Sequence, residues 1–250
     1  MDLYKQMIAI NRQLINGDVL SERYKIQVVN AFLAGISDKK TMERFHVGMR
    51  FPGNIDKGGR RMYPIFFIPP YNNGKKYPLV TGQKPKTHIL SANAYELEII
   101  RLLHLFVPDN AIVSDIVSQT LERLKTTCFG NMDDGLGECF DASLVVLRFL
   151  ACAAPDKTGW INERILNYHR HFAEKRRHRG VKWYFWLCLS ELPEEIAYPE
   201  IVLHMDELLE SAVRSVPDGR SSEDPDSVYP ALSRIIHGLL TRLPHTHAIT

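Results

Sequence analysis

The sequence predicts a mainly α-helical protein built from repeated antiparallel helical hairpins, and three observations carry that expectation. Apolar residues recur at helical spacing from Leu3 onward, apolar stretches end repeatedly at prolines, and one such stretch has a matched copy further along.

Two helices open the chain, Leu3 to Ile15 and Ser21 to Leu33, followed by Gly17 and Gly35 where a helix can end. They make a helical hairpin within residues 1–47. From 48 to 86 the texture changes, with Gly53, Gly58, Gly59, Pro64, Pro69, Pro70, Gly74, Pro78 and Pro85 breaking up the apolar run Tyr63 to Ile68. This reads as a long irregular Gly/Pro-rich connection, with a short hairpin of strands around Asn72-Asn73-Gly74. Its Tyr63, Phe66, Phe67, Tyr71 and Tyr77 are poor candidates for exposure to water, so the segment is expected to pack over a cavity or a flank.

Residues 87–250 carry the repeat. Arg101-Leu102-Leu103 followed by Pro108-Asp109 matches Arg148-Phe149-Leu150 followed by Pro155-Asp156, an offset of 47 residues. In both copies an apolar helix stops at the proline and a second helix follows, Ala111 to Leu124 and then Trp160 to Phe172. Looser copies follow: Trp183 to Leu192 before Pro193, then Ile196 to Val213, and finally Tyr229 to Leu243 before Pro244. The first member of each pair is the more apolar (Leu144-Val145-Val146-Leu147, Trp183-Tyr184-Phe185-Trp186-Leu187) and the second is amphipathic, as for inner and outer layers of a curved array. One domain holds the whole chain.

Over about residues 87–244 this hairpin order resembles the α/α-toroid proteins, the group of terpenoid cyclases and protein prenyltransferase β subunits. The resemblance implies alternating inner and outer helices around a central cavity. The Gln-Trp repeat and Asp-x-Asp-Asp motif of triterpene cyclases are not in the sequence, and an open helical-repeat scaffold fits the same pattern.

Composition narrows the function classes. Thirty-one basic and 29 acidic residues leave a formal charge of +2, which argues against binding nucleic acid by bulk electrostatics. No run approaches the roughly 20 apolar residues that span a bilayer, and no signal segment opens the chain, so a soluble cytoplasmic protein is expected. The four cysteines form no C-x-x-C pair, which points to reduced thiols.

If the inner helices converge, the polar residues that precede them share one rim, where unpaired backbone N–H groups and helix dipoles favour anions. These are His88 before the first, Asp133, Asp134 and Glu138 before the second, Arg179 and Lys182 before the third, and Tyr229 before the fourth. Asp133, Asp134 and Glu138 are the catalytic candidates, because crowding raises one carboxyl pKa for acid catalysis or gathers oxygen ligands for a hard cation. A plain turn with a carboxylate compensating the helix dipole is the competing reading. Cys139 stands in a first turn, where a thiol can become a nucleophile with a base such as His88, or remain a buried structural residue.

Lys175 to Lys182 is the strongest basic run, with Trp183, Tyr184 and Trp186 directly after it. Charge beside aromatics suits a phosphate-bearing ligand, whereas the same run also suits a solvated helix end with the aromatics lining the inner layer. His169-x-His171 and His245-x-His247 are expected to be exposed, and no metal site is expected. Two functions follow. One is a small-molecule enzyme whose cavity, lined by Phe140, Trp183, Tyr184 and Trp186, performs cyclase- or lyase-like acid–base chemistry on an apolar or isoprenoid-like, anionic ligand. The other is a non-catalytic scaffold for a protein or nucleic-acid partner. The sequence names no cofactor and no oligomeric state.

Overall fold

The computed structural model describes residues 2–48, 62–70, 76–85, 87–131, 138–175, 179–214 and 229–242. The described residues are mainly helical and contain no strand. The expected hairpin around Asn72-Asn73-Gly74 lies outside them. No helix among them is long and apolar enough to cross a membrane.

The chain opens with α1 (Leu3–Ile15), α2 (Glu22–Ala34) and α3 (Lys39–Gly48). Asp2 caps α1 by accepting from the backbone N–H of Tyr4 and Lys5, and Ser21 caps α2 through Tyr24, so each helix starts where a side-chain oxygen replaces the missing carbonyl. Gly17 then takes φ 83°, the left-handed conformation that releases the chain from α1. After the irregular segment come α4 (His88–Phe106), capped by Thr87, and α5 (Ala111–Lys125), capped by Asn110. A single turn, α6 (Cys128–Asn131), leads to α7 (Glu138–Ala153) and α8 (Thr158–Lys175). Next are α9 (Arg179–Glu191) and α10 (Glu194–Leu203), and then α11 (Met205–Arg214) and α12 (Tyr229–Leu240).

One helix expected from Ile196 to Val213 is therefore two. Pro199 removes a backbone donor inside α10, and His204 leaves helical geometry at φ −104°, ψ 14°. Asp206 and Glu207 then stand in the first turn of α11, where the helix dipole favours acids.

Two sets of helix neighbours account for the packing. α4 packs on α7, α7 on α9 and α9 on α12, while α1 touches both α12 and α4. The second members lie on their own partners, α5 on α4, α8 on α7, α10 on α9 and α11 on α12. The burial pattern gives the reason. From Leu90 to Leu103 α4 is buried on every side, whereas α5 buries only Val113, Ile116, Val117, Thr120, Arg123 and Leu124, one stripe at helical spacing. Each fully buried Leu, Val or Phe of the first type contributes about 1.5–3 kcal/mol relative to an exposed one.

The irregular segment is also part of the core, as its aromatics suggested. Tyr63, Phe67, Leu79 and Val80 are buried. Its backbone is held by α4: Ile65, Phe66 and Phe67 all donate their N–H groups to Glu96, at 2.7–3.2 Å, and the Asn93 side chain donates to the Met62 carbonyl at 2.9 Å. Arg123 of α5 completes this anchor through Glu96 at 3.3 Å and Asn93 at 2.9 Å. Backbone N–H groups with no strand partner are thus satisfied by a buried carboxylate.

Candidate functional site

Between α1, α4, α7 and α9 the centre of the molecule is polar. Arg148 of α7 is 1% exposed, and its Nη1 donates to both oxygens of Glu98 at 2.7 Å and to the Asn11 side chain at 3.0 Å. Its Nε and Nη2 donate to Glu191 at 2.8 and 2.7 Å. Arg101 adds a second donor to Glu191 at 2.7 Å, and the Tyr184 hydroxyl donates to Glu98 at 2.5 Å. Two guanidinium groups thus face two carboxylates, and the buried charge is balanced.

The electrostatics follow from that pairing. Burial alone would raise the Glu191 carboxyl, but Arg101 and Arg148 overcome it and hold the group at about 2. Burial works against the Arg148 charge, yet Glu191 and Glu98 keep its pKa well above the ordinary guanidinium value. Tyr184 is pushed well up, first by burial and then by the Glu98 charge, so it stays a hydrogen-bond donor. Cys188 is likewise pushed up by burial and is an inert thiol rather than a nucleophile.

Above this layer lies a narrow cleft, partly open to solvent. Tyr4 and Met7 of α1, Tyr77 to Val80, Ser91, Ala94 and Tyr95 of α4, and Tyr184 of α9 bound it, with Glu98 at its floor. The Tyr4 hydroxyl donates to the Pro78 carbonyl at 2.8 Å, and burial raises its pKa to about 12. Tyr4 and Tyr184 face the cleft, and Asn11 and Glu191, seven residues further along the same helices, sit in the ionic layer. Seven residues are two turns, about 10 Å. The same order holds along α4, from Ser91 through Glu98 to Arg101, so α1, α4 and α9 run in one direction and present their N-terminal halves to the cleft.

Of the expected site residues, Tyr184 lies in this site. Trp183 and Trp186 pack edge to face at 5.1 Å, with Trp186 fully buried, and Phe140 is buried against the Tyr168 ring at 6.1 Å. His88, Glu138, Arg179 and Tyr229 are the first residues of α4, α7, α9 and α12, with Cys139 and Lys182 in first turns. The side chains of Glu138, Cys139, Arg179, Lys182 and Tyr229 lie outside the described residues, as do Asp133 and Asp134 altogether. Missed at the sequence level were Glu98, Arg101, Arg148 and Glu191. The signal was present, because the repeat itself aligns Arg101 with Arg148, a charge recurring in one register of two apolar helices.

His169 corrects a second expectation. Its side chain is 30% exposed rather than free in solvent, because its Nε2 lies 2.6 Å from Oε2 of Glu200 on the neighbouring α10. His204, at the end of α10, stacks its ring on His169 with centroids 5.8 Å apart and an 11° tilt. These three are the residues able to hold a metal among those described. No protein-family model matches the chain, and no curated protein or solved structure matches it either.

Proposed function

We propose that the chain is a toroid-like helical stack that binds a small molecule at the N-terminal rim of its inner helices, and that Glu98 and Tyr184 form the polar end of that site. The observation that carries this reading is a buried carboxylate, hydrogen-bonded by a buried tyrosine, at the floor of a cleft bounded by Tyr4, Tyr77 and Tyr95. The neighbour relations of α1, α4, α7, α9 and α12 support the toroid-like arrangement, because α1 adjoins both α12 and α4.

Aromatic walls suit an apolar body or a developing positive charge, and Glu98 suits a hydroxyl or ammonium donor on the ligand. Glu98 then serves as a fixed acceptor for the ligand, with Arg148 beneath it setting its position. Asp133, Asp134, Glu138, Arg179 and Lys182 remain proposals for the rim, where basic groups would take an anionic part of the ligand.

Native mass spectrometry of the full chain purified from its host tests the reading, beside an Ala94→Leu variant that fills the cleft. The expected result is a retained small-molecule adduct on the wild type that the variant lacks. An adduct-free wild type that copurifies with a macromolecule would overturn it in favour of the scaffold. That second reading has its own support: Leu166, Leu203 and Leu209, on the outer helices α8, α10 and α11, are 52%, 66% and 47% exposed.

A further inference from the structure

On the outer layer, α8 and the end of α10 bring two imidazoles and a carboxylate together. Glu200 and His204 are four residues apart, one turn of α10, so both point the same way, and His169 meets them from α8. Ligand atoms of all three lie within 4.8 Å of one another. Side-chain exposures of 30%, 16% and 12% leave the group reachable by a solvated ion yet largely shielded. Phe185 and Tyr168 pack edge-on against these rings at 5.8–6.3 Å, so apolar surface limits their movement.

We propose that His169, Glu200 and His204 form a site for a borderline divalent transition-metal ion of the zinc type, cross-linking α8 to α10. Imidazole nitrogen and carboxylate oxygen in a two-to-one ratio suit zinc, whereas calcium and magnesium take oxygen ligands. Zinc bonds of about 2.0–2.2 Å place tetrahedral ligands about 3.3 Å apart, so the widest pair closes by about 1.5 Å at most while His169 Nε2 and Glu200 Oε2, now 2.6 Å apart, open by about 0.7 Å. The ion takes the place of the hydrogen bond between His169 and Glu200, and the neutral ring then carries its one proton on Nδ1 while Nε2 holds the metal. Glu207 stands 3.8 Å from Nδ1 of His204, too far for a hydrogen bond but near enough to add negative charge beside the ring. Three protein ligands leave a fourth position for water or a ligand atom. The site does not depend on the cleft, and either can fail alone.

Titrating zinc chloride into the chelator-treated full chain tests the site by calorimetry, and cobalt(II) absorption reports the ligand type. The wild type is expected to take up about one zinc per chain, with a cobalt spectrum of nitrogen and oxygen ligands. His169→Asn, which can keep a hydrogen bond to Glu200, and Glu200→Gln should each weaken uptake at least about tenfold. A wild type that takes up no zinc, a His169→Asn/His204→Asn chain that binds like the wild type, or a thiolate-to-cobalt band on the wild type would each overturn the proposal.

Discussion

Glu96 and Glu98 stand two residues apart on α4, both buried and both facing an arginine, yet they organise different parts of the molecule. Positions two apart point to different sides of a helix, so Glu96 turns toward the irregular segment and Glu98 toward the centre. The Glu96 anchor is made mostly with backbone: three N–H groups and one arginine converge on one carboxylate. The Glu98 lock is made only with side chains, and it joins four helices through Arg148. A carboxylate that gathers backbone donors fixes the path of one segment. One that sits in a chain of alternating charges fixes the mutual positions of whole helices.

That contrast predicts unequal failures. Arg148→Met strips Glu98 of its cation and leaves Glu191 with Arg101 alone, so it should cost on the order of 3–5 kcal/mol, with one cooperative transition shifted down in urea unfolding. Loss of only a local transition would break the claim that this layer joins the helices.

A smaller effect is expected from pH. Glu191 falls from 4.5 to about 2 on folding, so its contribution is present above pH 5 and is lost as pH falls from there toward 2. The amount is on the order of 3 kcal/mol, and Glu191→Gln should flatten that part of the stability curve. A wild-type chain as stable at pH 3 as at pH 6 would contradict the pairing.

Glu96→Gln should cost less, about 1.5–3 kcal/mol, because the amide oxygen still accepts from backbone while the charge is lost. The sharper readout is local. Hydrogen exchange at the amides of Ile65, Phe66 and Phe67 should accelerate more than exchange at the centre of α7. Uniform acceleration would mean that the two carboxylates do the same job.

The same contrast separates what was legible in the sequence from what was not. Period and proline spacing placed α1, α5 and α8, because an amphipathic stripe and a terminating proline are local properties. The anchor at Glu96 joins residues about 30 positions apart, and the lock joins Asn11 to Arg148 across 137, so neither has a local signature. Crowded carboxylates beside glycines, Asp133 and Asp134, give a stronger local signal than single charges inside apolar helices. Yet a glutamate within Ala92 to Leu105 must be paired if that helix is buried, and the repeated arginine named the partner. The split between α10 and α11 was likewise readable in Pro199 and the acids after His204. His169, Glu200 and His204 were hidden because only the packing of α8 beside α10 brings them together.

The contact of α1 with α12 has a consequence for how this protein assembles. The two helices furthest apart in the described chain are neighbours, so α1, made well before α12, completes its surroundings only after α12 emerges. Until then its apolar residues, Met7 and Ile10 among them, have α2 and α4 to rest against but lack the α12 side of their surroundings. Such a long-range closure is the slow kind of step in a folding reaction, and it makes the α1 seam the place where a nascent chain is most open to chaperones or to mispairing.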